Sequence, residues 1–386
     1  MFKGGIALRS IYLDNSATTA PCEQAVSAVV SSLTDTYANP SSLYSIGAQA
    51  NRMMEQSREN IAGFLGCSAE ELYFTSGGTE ANNIALQGAF YAGYRKGSRV
   101  VTTATEHPSV LNTLRELCRK NSVELVELQP DSTGAVSREA IFGAVDDKTF
   151  LVSIMLVNNE VGAINPVSDA RAAITRSKAP ALLHSDCVQA FGKLRFSPKT
   201  LGVDLLTVSA HKVHGPKGVG ALFVKKGTRL APTIFGGGQE KGIRPGTQPT
   251  AFIDGFSAAV TALRQANTDI ERIREIRDYA IERLTALDDV FINSSTDSLP
   301  YIINLSVLGY RSEVMLRFLS GLGIYVSSGS ACAKGKRSYV LTSMGVSDKR
   351  IDSALRISFS RYTQKSDIDA LVDGISQGQA NLLKSK

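Results

Sequence analysis

The sequence is poor in the residues that build metal sites and disulfide frameworks. Its 386 residues include no tryptophan, four histidines and five cysteines. The cysteines show no C-x-x-C spacing and their number is odd, which argues against a disulfide framework and a structural zinc site. They stand at Cys22, Cys67, Cys118, Cys187 and Cys332. The histidines form no H-E-x-x-H pattern, so we expect no bound metal.

Long apolar runs and a large excess of one charge are also missing. No run approaches the roughly 20 residues that a membrane-spanning helix needs, so we expect no membrane partner. The first ten residues contain no continuous apolar segment, and we therefore expect an uncleaved start and a cytoplasmic location. The formal net charge of +6 is modest for this length. Without a clustered basic face, it does not indicate nucleic-acid binding.

An alternation of helices and strands runs from about residue 48 to residue 226. Its apolar runs are continuous rather than alternating, which is typical of a mainly parallel sheet with both faces covered. We therefore predict an α/β fold with a seven-stranded sheet. The predicted strands are residues 71–75, 99–105, 123–128, 150–157, 181–185, 205–209 and 219–225. Such sheets bind ligands at the carboxyl ends of their strands.

A second, smaller region follows a pair of long helices predicted around residues 250–287. Its pattern is α+β, with strands at 301–307 and 354–358 and helices at 312–322 and 366–383. We place the boundary near residue 262. This gives a large α/β domain of residues 16–262 and a smaller α+β domain of residues 1–15 and 263–386.

One lysine stands at the end of a predicted buried strand, where a functional group is expected. Lys212 closely follows strand 205–209. A lysine amine forms a Schiff base with an aldehyde, and pyridoxal 5′-phosphate (PLP) is the usual protein-bound aldehyde. PLP also needs a carboxylate at its pyridine nitrogen, and Asp186 closes strand 181–185. Residues 74–80, FTSGGTE, join a strand to a helix whose N–H groups suit a phosphate. The sequence therefore predicts a PLP site.

An ordered set of short segments resembles a known family, the cysteine desulfurases of the NifS/IscS type within the class V aminotransferases. A single such segment is weakly specific, but the set runs in the right order from residue 12 to about residue 360. The segments are 12–19 (YLDNSATT), 39–42 (NPSS), 74–83 (FTSGGTEANN), 105–108 (TEHP), 157–162 (VNNEVG), 185–189 (SDCVQ), 209–212 (SAHK), 236–247, 327–332 (SSGSAC) and 355–358 (LRIS).

The resemblance implies a PLP-dependent transferase of fold type I and assigns roles around the cofactor. Lys212 would form the Schiff base and then take the substrate Cα proton. His107 would stack on the ring and move protons, Asp186 would pair with the ring nitrogen, and Gln189 would bind the ring 3-oxygen. The implied phosphate contacts are Gly78, Thr79, Ser209 and His211, with Thr247 supplied by the partner subunit of a homodimer.

The resemblance also implies L-cysteine as the substrate. Asn159, with Asn158 as the alternative, would lie near the ring and the substrate carboxylate, and Arg356 would bind that carboxylate with its planar guanidinium. Cys332 would take the sulfur as a persulfide, leaving L-alanine, and pass it to a protein acceptor. An iron–sulfur scaffold, a tRNA-modifying enzyme and another cofactor pathway all stay open as its destination.

Two positions depart from the family pattern. Five residues separate Cys332 from Ser338, two fewer than we expect for the long-loop members, and their sequence, AKGKR, is strongly basic. These charges, on Lys334, Lys336 and Arg337, would favour the cysteine thiolate, dock an acidic acceptor, or simply form a solvated turn. Ser360 stands where the family often has glycine, which concerns only the local backbone.

Three other functions stay open at this point. A selenocysteine lyase or a cysteine C–S lyase would use the same scaffold and differ in products. A non-catalytic sulfur-carrier subunit would keep the fold, although the presence of both Lys212 and Cys332 argues against it. A nucleotide-binding α/β protein is disfavoured because Gly77-Gly78 alone is neither a Walker A nor a G-x-G-x-x-G motif.

Overall fold

The computed structural model describes residues 10–266, 270–328 and 337–384. Its strands, numbered along the chain, are β1 Ile11–Tyr12, β2 Leu72–Thr75, β3 Arg99–Thr103, β4 Glu124–Leu128, β5 Thr149–Ser153, β6 Leu182–Asp186, β7 Leu205–Ser209, β8 Gly220–Val224, β9 Val290–Ile292, β10 Ile302–Val307, β11 Ile324–Tyr325 and β12 Ala354–Ser358.

Helices connect these strands and cover the sheets. They are α1 Glu23–Asp35, α2 Ser45–Leu65, α3 Gly78–Gly93, α4 Pro108–Asn121, α5 Arg138–Ala144, α6 Val167–Ser177, α7 Pro198–Leu201, α8 Thr250–Ala266, α9 Ile270–Thr285, α10 Ser312–Gly321, α11 Tyr339–Ser343, α12 Asp348–Asp352 and α13 Lys365–Asn381. Helices α1, α5, α6, α7, α11 and α12 were not predicted from the sequence. No helix within the described ranges is long and apolar enough to cross a membrane.

The central sheet confirms the prediction of seven mainly parallel strands. Its order is β2–β8–β7–β6–β5–β3–β4. Strand β8 runs antiparallel to both of its neighbours, and the other pairings are parallel. Every residue of β5, β7 and β8 is buried, as a sheet covered on both faces requires.

Packing of α3 across this sheet fixes the site end of the molecule. The helix contacts β5, β6, β7 and β8. Its Phe90 side chain is fully buried and meets the Phe150 ring edge-on, with the ring centroids 5.3 Å apart. Burying an aromatic side chain of this size stabilises the fold by roughly 3–5 kcal/mol relative to alanine. The helix N-terminus at Gly78 is thereby held beside the carboxyl ends of β6 and β7.

A second sheet, antiparallel in the order β12–β10–β9, forms the later part of the chain. The beginning of the described chain packs with this region. Strand β1 pairs with β11, and the Ser358 N–H donates to the Leu13 carbonyl at 2.7 Å. The predicted boundary at residue 262 lies inside α8, and the division into two domains stays a prediction.

Strand β5 ends earlier than the sequence indicates. We expected residues 150–157 to form one strand, but β5 stops at Ser153. The following residues still bond to the neighbouring strand, since the Leu156 N–H donates to the Asp186 carbonyl at 3.0 Å. The chain then turns at Asn158, whose side-chain oxygen accepts from the backbone N–H groups of Glu160 and Val161. An apolar run in the sequence does not show where strand pairing ends and such a turn begins.

Candidate active site

A cavity of about 880 Å³ opens at the carboxyl ends of the central strands. Ten of the predicted site residues line it, and they come from segments spread over almost 280 positions of the sequence. They are Gly78, Thr79, His107, Asn159, Asp186, Gln189, Ser209, His211, Lys212 and Arg356. The parallel arrangement of the sheet brings these strand ends to one edge.

Lys212 lies in a short 3₁₀ turn, Ala210–Lys212, directly after the buried strand β7. Its Nζ donates to the carbonyl oxygens of Ser16 and Ala17, the latter at 2.8 Å. These two carbonyls belong to the segment that follows β1. Two backbone carbonyls therefore hold the amine at the cavity wall.

Asp186 ends strand β6 and is 5% exposed. One carboxylate oxygen accepts from Asn82 Nδ2 at 2.7 Å and the other from the Val188 N–H at 3.0 Å. Asn82 also donates to Ser109 Oγ at 2.9 Å. The two bonds to Asp186 fix the orientation of its carboxylate. Sequence reasoning missed Asn82, although its place in the first turns of the helix after Gly77-Gly78 was a signal.

His107 caps the N-terminus of α4, which begins at Pro108. The Ser109 N–H donates to His107 Nδ1 at 3.2 Å, and Ser109 Oγ lies 2.8 Å from the same nitrogen. An accepting Nδ1 leaves the proton on Nε2. Burial lowers the pKa of His107, with Asp186 raising it and Lys212 lowering it to smaller extents. The imidazole is thus set up to be neutral near neutral pH.

The start of α3 has the geometry of an anion site. Gly77 adopts φ 150° and ψ −175°, a conformation open essentially only to glycine. A Cβ on Gly78 would lie 3.0 Å from Val188 Cγ2, so glycine keeps this corner open. No side chain caps the helix, and its first N–H groups have no intrahelical acceptor. Ser209 Oγ is buried beside them without a hydrogen-bond partner among the described residues.

Arg356, in the middle of β12, is 3% exposed. Its Nη2 donates to Asp14 Oδ1 at 2.7 Å, and its Nη1 donates to the Asn159 carbonyl at 3.0 Å. Within the described chain, Nε of Arg356 and Oδ1 of Asn159 are buried without hydrogen-bond partners. This corner therefore presents a buried cation and an amide to whatever enters the cavity.

The geometry distinguishes the two neighbouring asparagines. Asn158 uses its amide internally, donating to the Thr105 carbonyl at 3.0 Å and accepting from the turn that follows. Asn159 lines the cavity. Asn159 is accordingly the better candidate for contact with a ligand.

Comparisons with known proteins show the family of this chain. The model of the family "Aminotransferase class-V" matches residues 11–371. The chain belongs to this family. It is 36% identical over 372 residues to cysteine desulfurase IscS of Clostridium botulinum, covering 95% of this chain and 93% of that protein. A solved NifS-like protein superposes with a TM-score of 0.91 at 35% identity, over 97% of this chain and all of the other. The structure of SspA in complex with cysteine gives 0.81 at 31% identity, over 92% and 100%.

As a class V aminotransferase of the cysteine desulfurase type, the protein is a PLP-dependent enzyme. The residues present fit that cofactor. The unpartnered Ser209 hydroxyl and the uncapped start of α3 suit a phosphate. Burial lowers the pKa of His211 to about 4, with the charges of Lys212 and Lys217 as smaller causes. Its imidazole is therefore neutral near pH 7, and a neutral imidazole can still donate one hydrogen bond to an anion.

The aminotransferase site has further parts that the sequence did not indicate. Burial raises the pKa of Glu160 to about 7, against a smaller lowering by Ser338, whose hydroxyl donates to it at 2.5 Å. The Tyr339 hydroxyl donates to the Glu106 carbonyl at 2.6 Å. These bonds fasten the start of α11 to the cavity wall. Cys332, Lys334 and Lys336 lie outside the described residues, whereas Arg337 lines the cavity and pairs with Asp348 and Asp352.

The loop that contains Thr247 is anchored away from the cavity lining. Glu240 accepts both guanidinium nitrogens of Arg58, at 2.7 and 2.8 Å, and the Phe74 N–H at 2.8 Å. Arg244 pairs with Glu80 in the first turn of α3 at 3.3 Å. Thr247 does not line the cavity of its own chain. Its assignment to a phosphate in the partner subunit stays a prediction.

Proposed function

We propose that this enzyme removes sulfur from L-cysteine, releases L-alanine and transfers the sulfur to Cys332 as a persulfide. The observation that supports this most is the convergence of the Lys212 amine, the Asp186 carboxylate and the Arg356 guanidinium on one cavity. Amine, carboxylate and guanidinium are what PLP and an amino-acid carboxylate require together. Bound PLP supplies an electron sink for the negative charge that develops at the substrate Cα.

In this proposal the cofactor is held at both of its ends. Asp186, oriented by Asn82 and the Val188 N–H, would pair with the pyridine nitrogen. Gln189 would donate to the ring 3-oxygen, and His107 would stack against the ring. The phosphate contacts are Gly78, Thr79, Ser209 and His211 from one subunit and Thr247 from its partner.

Lys212 is the proposed base for the Cα proton. Its Nζ already lies at the cavity wall and within reach of two backbone carbonyls. Arg356 orients the substrate by its carboxylate, because its guanidinium is buried and fixed by Asp14. A substrate held in this way presents its Cα to one side of the cavity only, which is the positional contribution to the rate.

The sulfur-transfer step balances without an external oxidant. The Cys332 thiolate attacks the substrate sulfur, the new S–S bond replaces the Cβ–S bond, and the electron pair of that bond returns to the carbon skeleton. Protonation there gives alanine. One cysteine and one protein thiol become one alanine and one protein persulfide. We propose that Lys334 and Lys336 favour the thiolate that starts this step, whereas Arg337 pairs with Asp348 and Asp352.

We also infer a homodimer, from an exposed apolar surface on α1 and the segment after it. Val26, Val30 and Leu33 form a helical stripe and are 50%, 56% and 59% exposed. Tyr37 and Leu43 continue the exposed surface. A contiguous apolar surface of this kind marks an interface, and a second copy would also bring Thr247 to its proposed site.

A protein sulfur acceptor, such as an iron–sulfur scaffold, and a cytoplasmic location complete the proposal, since Cys332 must stay a thiol.

Product analysis tests this function against its alternatives. The PLP-loaded enzyme is incubated with L-cysteine, and alanine, pyruvate, ammonia and free sulfide are quantified. We expect alanine without pyruvate. Pyruvate with ammonia and sulfide would identify a C–S lyase, and a strong preference for selenocysteine over cysteine would identify a selenocysteine lyase. Absence of any product with fully PLP-loaded protein would favour a sulfur-carrier subunit.

A further inference from the structure

The site contains a second lysine for which the proposed reaction has no role. Lys193 follows Gln189 by one turn, and its Nζ donates to Gln189 Oε1 at 3.1 Å. The Tyr301 ring centroid lies 5.8 Å from the same nitrogen. Lys193, Lys212 and Phe359 line the same small cavity of about 20 Å³. The two lysines are therefore close neighbours behind the main cavity.

The charged groups around Lys193 are cationic or basic. Lys212, His211 and His214 face it from the segment after β7, and Arg356 and Arg361 face it from β12 and the turn beyond. Desolvation lowers the pKa of Lys193 to about 7, with the charges of Lys212 and Arg356 as smaller causes. A lysine in this position is costly for the fold, which points to a use for it.

The hydrogen bond from Lys193 selects one orientation of the Gln189 amide. An amide has a donor end and an acceptor end, and an ammonium can bond only to the acceptor. With Oε1 turned to Lys193, Nε2 lies on the opposite side, where it donates to the Ser16 carbonyl at 3.0 Å. Ser16 also accepts from Lys212 Nζ. Lys193, Gln189, the Ser16 carbonyl and Lys212 thus form one connected row.

We propose that Lys193 is a positioning residue for the cofactor, which keeps the Gln189 N–H₂ group turned to the ring 3-oxygen. This inference rests on the proposed function, because the contact between Gln189 and the ring oxygen belongs to that function. The geometry on which it stands is the 3.1 Å bond and the row that continues to Lys212.

Lys193 acts on one proton through Gln189. A donor at the ring oxygen stabilises that oxygen as an anion. This lowers the pKa at which the nitrogen that joins Lys212 to PLP loses its proton. Removing Lys193 should therefore raise that pKa.

The test is a pH titration of the visible absorbance of the PLP-loaded enzyme between pH 6 and pH 10. We expect Lys193→Met, which keeps the length and removes the charge and the donor, to raise the apparent pKa by about one unit, a tenfold change in the proton equilibrium. Lys193→Arg keeps the charge and the donors and should restore most of the wild-type value. Lys199→Met is the matched control, since Lys199 lies exposed in α7 and should leave the titration unchanged.

A second comparison asks whether Lys193 acts through Gln189. Gln189→Leu should raise the same pKa, and adding Lys193→Met to it should raise the pKa by clearly less than in the wild-type background, since the two residues share one contact. Fully additive shifts would overturn the positioning role.

The remaining outcomes separate this inference from the function on which it rests. A wild-type protein that gains no visible band with PLP would overturn the proposed function itself. A wild-type band that titrates identically in Lys193→Met, or that does not titrate up to pH 10, would overturn only the inference about Lys193. Thermal unfolding of both variants at pH 7 detects simple misfolding. If Lys193→Met and Lys193→Arg both shifted the pKa and both unfolded at a lower temperature, the positioning role of Lys193 would also be contradicted.

Discussion

The cofactor end and the substrate end of the cavity are built in different ways. At the cofactor end, Asp186, His107 and Lys212 each follow a strand of one parallel sheet, so the sheet itself brings them together. At the substrate end, Arg356 from the second sheet reaches Asp14, 342 positions earlier in the chain, and the Asn159 carbonyl. The first arrangement depends on a single sheet, whereas the second depends on how two regions of the chain pack. Chemistry and substrate recognition should therefore be separable by mutation.

The largest effect is expected at the cofactor end, from Lys212→Ala. Loss of the amine removes both the covalent attachment of PLP and the base, and a positioned base alone contributes about 10²–10⁴-fold to a rate. We expect turnover to fall by at least about a thousandfold and the visible band of the bound cofactor to disappear. PLP should still associate through its phosphate site. Absorbance and alanine release measure both, with Lys199→Ala as control, and normal values in Lys212→Ala would remove this residue from the mechanism.

At the substrate end, Arg356→Ala should weaken cysteine binding and spare the cofactor. Loss of a charge-assisted contact costs about 1.5–3 kcal/mol, roughly ten- to a hundredfold in affinity. The apparent affinity for cysteine, from the change in absorbance with cysteine concentration, should fall by this factor, while PLP content stays that of the wild type. A variant that loses PLP but keeps its cysteine affinity would contradict the separation of the two ends.

A smaller effect is expected from Asn82→Ala, which sharpens the comparison at the cofactor end. Asp186 loses its 2.7 Å bond from Asn82 but keeps the Val188 N–H. Loss of one bond to a carboxylate costs about 1.5 kcal/mol, close to tenfold. Equilibrium PLP binding to the apoprotein should weaken by about this factor, and the apparent cysteine affinity should not change. If cysteine affinity fell instead, Asn82 would belong to the substrate end.

The smallest effect on activity is expected from two buried groups that act on stability, with opposite signs at the two ends. Burial lowers the pKa of His184, beneath the cofactor end, to about 4. The unfolded chain then binds more protons between about pH 6.5 and pH 4, and the free energy of unfolding falls as the pH falls through this window. For Glu160 at the substrate end, whose pKa is raised to about 7, the folded chain binds more protons, and the free energy of unfolding falls as the pH rises from about 4.5 to 7.

Single variants isolate these two contributions. Each is worth at most about 3 kcal/mol at these shifts. In denaturant unfolding of the apoprotein, His184→Gln should reduce the loss of stability between pH 6.5 and 4, and Glu160→Gln should reduce the loss between pH 4.5 and 7. His211 and His214, whose pKa values are also lowered to about 4, will keep part of the acid sensitivity. Parallel pH profiles in wild type and both variants would show that neither group is perturbed.

The same contrast explains how much the sequence predicted. The seven-stranded sheet and the strand-end residues His107, Asp186 and Lys212 could be predicted, because polar residues at the ends of continuous apolar runs meet at one edge of a parallel sheet. The other cavity-lining residues, Arg356 among them, came from the family resemblance. The roles of Asn82 and Lys193 were missed, because they depend on the packing that brings these residues to Asp186 and Gln189. The Asp14–Arg356 pair lay beyond sequence reasoning as well, since it depends on the pairing of the chain start with the second region. Helix α5 was missed because it is short.

The most direct test of the account is mass-spectrometric mapping of sulfur after a short incubation of the PLP-loaded enzyme with L-cysteine. We predict one added sulfur on the peptide with Cys332, in step with alanine release. We predict none on the peptides that contain the free thiols of the structure, Cys22, Cys67, Cys118 and Cys187. Cys332→Ser should keep the Lys212-bound cofactor band and its response to cysteine but form almost no persulfide and little alanine. Alanine release at the wild-type rate by Cys332→Ser, or added sulfur on another cysteine, would contradict the account.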